Sequence, residues 1–213
     1  MLGNRNLSII TLFALIISFI LLSIFVVHHP VPKFDHDISL FVQKHHSDWA
    51  DKLMLSISFF GKLPYSLLMV IIVAAIFYLY KFKREAYFII SILLSGLIIF
   101  GLKSIIDRPR PTSFYVRLVE INRSKSFPSG HVMSYILFFG FMIILMKSLK
   151  NIPALTRRII TYVSIFYITT IAFSRIYLGA HWFSDTLAGL ILGLICLFPI
   201  CYFYFKKETE IKP

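Results

Sequence analysis

Charge is scarce in this chain. Only 15% of its 213 residues are Asp, Glu, Lys or Arg, against about 25% in an ordinary soluble domain, while 58% are hydrophobic. Apolar runs of about 20 residues recur, the length a helix needs to cross ~30 Å of hydrocarbon, and this argues against a soluble core. Acidic residues are scarcer still, 10 against 22 Lys and Arg, leaving a formal charge of +12. Such a balance would suit nucleic acid only if the cations shared a soluble face. Here they sit in short segments between apolar runs, as expected of charges flanking membrane spans. The two cysteines, Cys196 and Cys201, lie five apart in one run, where helical geometry turns them to different faces and disfavours a disulfide or a metal pair. Neither internal repeats nor low-complexity segments are evident. The expectation is one membrane-embedded domain over residues 1–213.

What is present reads as an all-α bundle of six transmembrane helices. The spans fall at about Leu7 to Val27, Pro64 to Tyr80, Ala86 to Leu102, His131 to Lys147, Ile159 to Ser174 and Thr186 to Phe205. The first follows Arg5 in the manner of a secretory signal, but its apolar stretch is long and Val27-His28-His29-Pro30 offers no small-residue cleavage site. It is read as a retained span. Short basic segments carry Arg5, then Lys81, Lys83 and Arg84, then Lys147, Lys150, Arg157 and Arg158, then Lys206, Lys207 and Lys212. The positive-inside rule puts these and both termini in the cytoplasm.

The opposite side has two longer connections, His28 to Leu63 and Lys103 to Gly130, and the turn from Arg175 to Asp185. In the first connection Ile38, Phe41, Val42 and His45 recur at helical spacing, followed by Trp49, Leu53 and Ile57, the pattern of an amphipathic segment lying on the membrane surface. Its histidines, His28, His29, His36, His45 and His46, lack a ligand spacing with acidic or thiol partners and read as solvated interfacial groups.

Three polar clusters interrupt the apolar background: Lys103 to Pro111, Pro128-Ser129-Gly130-His131, and Ser174 to Asp185. The third span exits at Lys103, the fourth enters at His131, the fifth exits at Arg175 and the sixth enters at His181, so all three clusters fall at one end of the bundle. Lys103, Arg110 and Arg175 supply three cations, and an arginine fork matches phosphate oxygens in bidentate fashion. Ser129 and Gly130 precede a helix whose free N–H groups and dipole favour an anion. His181 and Asp185, four apart, share one helix face. Asp185 can hold one ring nitrogen while the other attacks phosphorus. His131 can protonate the leaving oxygen and then activate water. Each feature alone has a plainer reading, as an interfacial anchor, a structural pair or a helix cap. Their coincidence at one end points to a phosphoryl-transfer site.

On these residues the chain resembles the type-2 phosphatidic acid phosphatase family, whose signatures read K-x6-R-P, P-S-G-H and S-R-x5-H-x3-D. All three are present without a gap, and the spacing from Lys103 selects Arg110 rather than Arg108. The resemblance covers about residues 50 to 200. It implies His181 as nucleophile, Asp185 as its partner and His131 as acid, with Lys103, Arg110, Ser129, Gly130 and Arg175 binding phosphate. It also implies that neither metal nor other cofactor is needed. Soluble relatives with this site act as vanadium haloperoxidases, but six spans fit the lipid phosphatase branch.

The expected partners are therefore the bilayer and a membrane lipid phosphate, without nucleic acid. Undecaprenyl pyrophosphate, phosphatidylglycerol phosphate and phosphatidic acid all place phosphate at the interface; compact length leans towards a bacterial inner-membrane enzyme and a polyprenyl pyrophosphate. The site would open on the outer face. A phosphotransferase sharing the intermediate is one alternative. A transporter is another, weakened because the charges cluster at span ends rather than along them.

Overall fold

A computed structural model describes residues 5–122 and 124–210; Lys212, and the side chains of Arg5 and Lys207, lie outside the described residues. The regular elements of the described residues are helices, among them α1 (Arg5–His28), α2 (Lys33–Gln43), α3 (Asp48–Ser58), α4 (Tyr65–Leu79), α5 (Lys83–Ser91), α6 (Ser95–Ile105), α7 (Gly130–Ser148), α8 (Ala154–Tyr177) and α9 (Phe183–Glu210). Five helical segments, beginning at Asn6, Lys83, Gly130, Ala154 and Phe183, are long and apolar enough to cross a membrane. The segment Lys83–Ile105 comprises α5 and α6 joined by a short 3-10 turn at Ile92–Leu94.

The expected span from Pro64 to Tyr80 takes a different form. The 15 residues of α4 rise about 22 Å at 1.5 Å each, short of the hydrocarbon thickness. The length is made up by α3 and the 3-10 turn Phe59–Gly61, which meet α4 at a bend of 60° and form the sixth candidate crossing with it. The chain breaks where Gly61 and Pro64 fall. Pro64 has no N–H to donate and begins the new helix.

The helix α7 is the axis of the bundle. In its most apolar window 61% of residues are buried, against 11% for the first span, and Val132, Met133, Ile136, Phe141 and Leu145 anchor the main apolar cluster. It packs on α8 and α9, while α1 lies along α9 and turns Leu7, Ile10, Phe13 and Leu21 outward, as a lipid-facing helix should. Cys196 and Cys201 are both free thiols.

The amphipathic segment forms two helices, but α2 packs with its polar side inward. Asp35, Ser39 and Gln43 are buried, whereas Phe41 is 78% exposed. Gln43 explains part of this inversion: its amide donates to the carbonyls of Arg117 and Tyr177, both at 2.8 Å, and its oxygen accepts from the Arg117 N–H at 3.0 Å. Thus α2 covers polar backbone at the site end and leaves its apolar face for the membrane interface. Two of the histidines make backbone contacts, His36 to the Tyr115 carbonyl at 3.2 Å and His46 to the Gln43 carbonyl at 3.3 Å.

Arg84 reaches α9 at the end remote from residue 183, donating to the Tyr204 carbonyl, with its guanidinium carbon 4.6 Å from that ring's centroid. The basic segment at Lys83 and Arg84 therefore lies at the opposite end of the bundle from the three polar clusters.

Candidate active site

The exits of α6 and α8 and the entries of α7 and α9 bring the three clusters together. A cavity of about 440 Å³ at this end is lined by Lys103, Arg110, Gly130, His131 and His181, together with Gly61, Lys62, Leu63, Glu120, Ile121, Asn122 and Ser124. Five of the eight expected residues thus form its wall. Asp185, Arg175 and Ser129 lie beneath, fully buried.

His181 reaches this position because α8 ends at Tyr177 and the chain turns sharply. Gly179 takes the left-handed φ of 66°, and a Cβ there would lie 2.3 Å from the Arg117 carbonyl oxygen, so the turn requires glycine. The Arg175 carbonyl then accepts from the N–H groups of Ala180 and His181. The His181 side chain is 2% exposed. Its Nε2 lies 3.2 Å from Arg110 Nη1. Because a guanidinium only donates, that nitrogen is the acceptor and the ring proton is assigned to Nδ1. On the Nδ1 side Asp185 Oδ2 lies 3.5 Å away, beyond ordinary hydrogen-bond length, and Ser126 Oγ also lies at 3.5 Å.

Asp185 is itself closely held. Its Oδ2 accepts from the Trp182 N–H at 2.9 Å and from the Ser126 hydroxyl, and its Oδ1 accepts from Arg108 Nη1 at 2.6 Å. The Asp185 carbonyl accepts from the Ser129 N–H at 3.0 Å, locking the entry of α9 to that of α7. Burial, followed by the positive charges of Arg110, Arg175 and Lys103, drives the His181 imidazole well below its ordinary pKa. The neutral ring is thereby favoured, with its Nε2 lone pair directed at Arg110.

The cations differ in what already occupies them. Lys103 donates to the Lys125 carbonyl and approaches that of Ser126 at 3.5 Å. Arg110 bonds Ser124 Oγ at 3.0 Å and the carbonyls of Ser124 and Ala180 at 2.5 Å each. Burial and the neighbouring Arg175 pull its guanidinium down to about 10, which still leaves it charged at neutral pH. Arg175 gives Nη1 to Ser58 Oγ at 2.9 Å and Nη2 to Glu120 Oε1 at 2.8 Å. Burial pushes the Glu120 carboxyl up, but the hydrogen bond and charge of Arg175, with help from Lys62 and Asn122, outweigh it and hold the group well below the carboxylate range.

Buried side-chain polar atoms without a hydrogen-bond partner include Ser129 Oγ, His131 Nε2 and Arg175 Nε. Such orphans are costly and call for an explanation. Ser129 stands at the N-cap of α7, yet its hydroxyl makes no capping bond, so the cap-and-turn reading of Pro-Ser-Gly does not account for it. All three belong to the clusters singled out by the spacing of the sequence. A tetrahedral oxyanion would supply acceptors for two of them and for the free N–H groups at the α7 N-terminus.

A match to the model described as the PAP2 superfamily spans residues 84–209, more than half of the chain and all three clusters. The chain belongs to that superfamily. It is 27% identical over 195 residues to phosphatidylglycerophosphatase B of Bacillus subtilis, an alignment covering 87% of this chain and 90% of the relative. Among solved structures, it resembles a transmembrane PAP2 type phosphatidylglycerolphosphate phosphatase from Bacillus subtilis with a TM-score of 0.80 and 24% identity, covering 94% of this chain and 97% of the other. It resembles LpxE of Aquifex aeolicus with a TM-score of 0.60 and 21% identity, covering 78% and 93% respectively. These structural likenesses establish the fold, an all-helical integral-membrane bundle. The protein is a membrane lipid phosphatase of the PAP2 type.

Several residues around the PAP2 site were not expected from its signatures: Asp35, Arg108, Ser126 and Ser184 behind Asp185, and Lys62, Ser58 and Glu120 around Arg175. Gly61 is another. A Cβ at this position would fall 2.2 Å from His131 Cδ2 and 2.7 Å from Cγ, so the imidazole rests directly against the glycine in the α3–α4 bend. Gly61→Ala should displace the ring and lower phosphate release by about 10²-fold or more, the scale of losing a positioned acid–base group, while the protein still inserts and folds. Activity within about threefold of the parent would show that the ring does not need this seat.

Proposed function

We propose that residues 1–213 act as one membrane-embedded domain that hydrolyses a lipid phosphomonoester through a phosphohistidine on His181. The observation that carries this reading is the placement of the His181 ring: it borders the cavity, presents Nε2 to Arg110 and has Asp185 on its Nδ1 side. Lys103 and Arg110 would bind the phosphoryl oxygens from the cavity wall. Ser129 Oγ, the backbone at Gly130 and Arg175 Nε would meet them from below. Nε2 attacks phosphorus in line, the P–O bond to the lipid breaks, and His131 gives its proton to the departing alkoxide. The imidazole becomes cationic as the N–P bond forms, and the Asp185 carboxylate stabilises that charge. His131 then takes a proton from water, which attacks the phosphohistidine, releases inorganic phosphate and restores His181.

We place phosphatidylglycerol phosphate first among substrates, ahead of the polyprenyl pyrophosphate towards which compact length leans. The phosphatidylglycerophosphatase relative supports this, as does Asn122 in the cavity wall, a polar group suited to the hydroxyl of a glycerol headgroup. Phosphate release by purified protein in detergent should be at least about tenfold more efficient on phosphatidylglycerol phosphate than on phosphatidic acid or undecaprenyl pyrophosphate. It should persist in EDTA, because the cations and the helix N-terminus supply the positive charge a metal would bring. Vanadate should inhibit. No release from any of these lipids would defeat the functional reading, and complete loss in EDTA restored by one divalent ion would defeat metal independence.

We further infer that the site faces away from the cytoplasm of a bacterial inner membrane, because Lys83, Arg84, Lys147 and Arg157 belong to the end opposite the cavity. In a background lacking Cys196 and Cys201, a cysteine replacing Ser113 should react with a membrane-impermeant thiol reagent in intact cells, whereas one replacing Asn151 should not. The reverse pattern would put the site in the cytoplasm.

A further inference from the structure

Behind Asp185 lies a closed polar network that the phosphoryl-transfer steps do not use. Arg108, on the connection leaving α6, is 2% exposed and its guanidinium divides between two buried carboxylates. Nη1 donates to Asp185 Oδ1 at 2.6 Å and to Ser184 Oγ at 2.7 Å, Nη2 donates to Asp35 Oδ2 at 2.6 Å, and Nε donates to the Pro30 carbonyl at 2.9 Å. Asp35, in the first turn of α2, accepts from the Ser184 N–H at 2.8 Å through Oδ1 and from the Ser184 hydroxyl through Oδ2. One carboxylate from the first connection thus grips both the start of α9 and the guanidinium that holds Asp185.

The charge count gives this arrangement a purpose. Two carboxylates share one guanidinium, so Arg108 is divided between Asp35 and Asp185 and does not pair with Asp185 alone. In the resting site the Asp185 carboxylate faces Lys103 and Arg110, and as the N–P bond forms it also faces the positive charge that develops on the imidazole. Without the charge of Asp35, Arg108 would neutralise Asp185 alone and weaken its hold on the imidazolium. Arg108 on Oδ1, with the Trp182 N–H and Ser126 Oγ on Oδ2, fixes the angle of the Asp185 carboxylate, as outer-shell partners do for catalytic histidines.

We propose that Asp35 and Arg108 are positioning residues for this reaction, acting on His181 only through Asp185. The inference rests on Asp185 being the partner of the His181 nucleophile, and the test separates the two claims. Asp35→Asn keeps the side-chain shape and an acceptor for the Ser184 N–H but removes the charge. In the full-length protein, measured on phosphatidylglycerol phosphate in detergent, it should lower kcat by about 10- to 100-fold with KM nearly unchanged, since Lys103 and Arg110 are untouched. Introduced into Asp185→Asn, the same change should add less than about twofold, because residues acting through one group are not additive. Ser184→Ala, which deletes the hydroxyl linking Arg108 to Asp35, should repeat the pattern with a smaller loss and serves if Asp35→Asn does not fold. A full multiplicative loss in the Asp185→Asn background, or an effect on KM in place of kcat, would overturn the positioning role. Near-parental activity of Asp185→Asn alone would overturn the underlying reading of Asp185.

Discussion

Replacing His181 with alanine should abolish phosphate release, with a loss on the order of 10⁶-fold, as when other enzymes are deprived of a covalent nucleophile. No neighbour can substitute. Ser126 Oγ bonds Asp185, and His131 belongs to a different helix with its ring seated against Gly61. The ring of His181 borders the cavity, so its removal enlarges a polar space rather than the apolar core around α7. The variant should therefore remain helical, inserted and able to bind vanadate through Lys103 and Arg110. Retention of even about 1% of activity would mean that water attacks phosphorus directly, with the cations alone responsible for most of the rate.

His131→Ala should separate the two half-reactions. For a lipid substrate the leaving group is an unactivated alkoxide, and loss of the acid should slow N–P bond formation by about 10²- to 10⁴-fold. An aryl phosphate such as p-nitrophenyl phosphate leaves with little need of a proton. With that substrate the first step should stay near the parental rate, giving a burst of phenolate close to one equivalent per protein, followed by slow turnover because water lacks its base. Equal slowing of the first step for both substrates would remove His131 from the role of acid. The unpartnered Nε2 in a buried setting is the structural basis for this expectation.

Much of the architecture was readable because the bilayer imposes a simple code. Runs of apolar residues long enough to span marked the helices at Leu7, Ala86, His131, Ile159 and Thr186, and the alternation of ends placed Lys103, His131, Arg175 and His181 together before any contact was known. The bend between α3 and α4 was less legible, since Gly61 and Pro64 signal a break without stating whether the two sides remain one crossing. The inward polar face of α2 was hidden for a different reason. Ile38, Phe41, Val42 and His45 at helical spacing read as an apolar face, but the buried face is set by Asp35 and Gln43, whose partners Arg108, Arg117 and Ser184 are distant in sequence.

The same limit applied around the site. Spacing from Lys103 selects Arg110, which lines the cavity, over Arg108, which does not, yet says nothing of what Arg108 does. Its guanidinium is tied to Asp35, 73 positions away. Arg175 was expected at the phosphate, and its Nη atoms are instead engaged by Ser58 and Glu120, leaving Nε to meet a ligand. A hydropathy profile carries no information about such side-chain commitments, because they depend on the path of the connections rather than on the spans.

The central claim, a phosphoryl group carried on His181, is tested most directly by trapping it. His131→Ala, mixed with an isotopically labelled aryl phosphate and quenched in base, where phosphohistidine survives, should hold close to one label per protein. Fragmentation of the purified protein should locate that label on His181, and the double variant lacking both histidines should hold none. Absence of any trapped label despite a phenolate burst, or a label on another residue, would contradict the account.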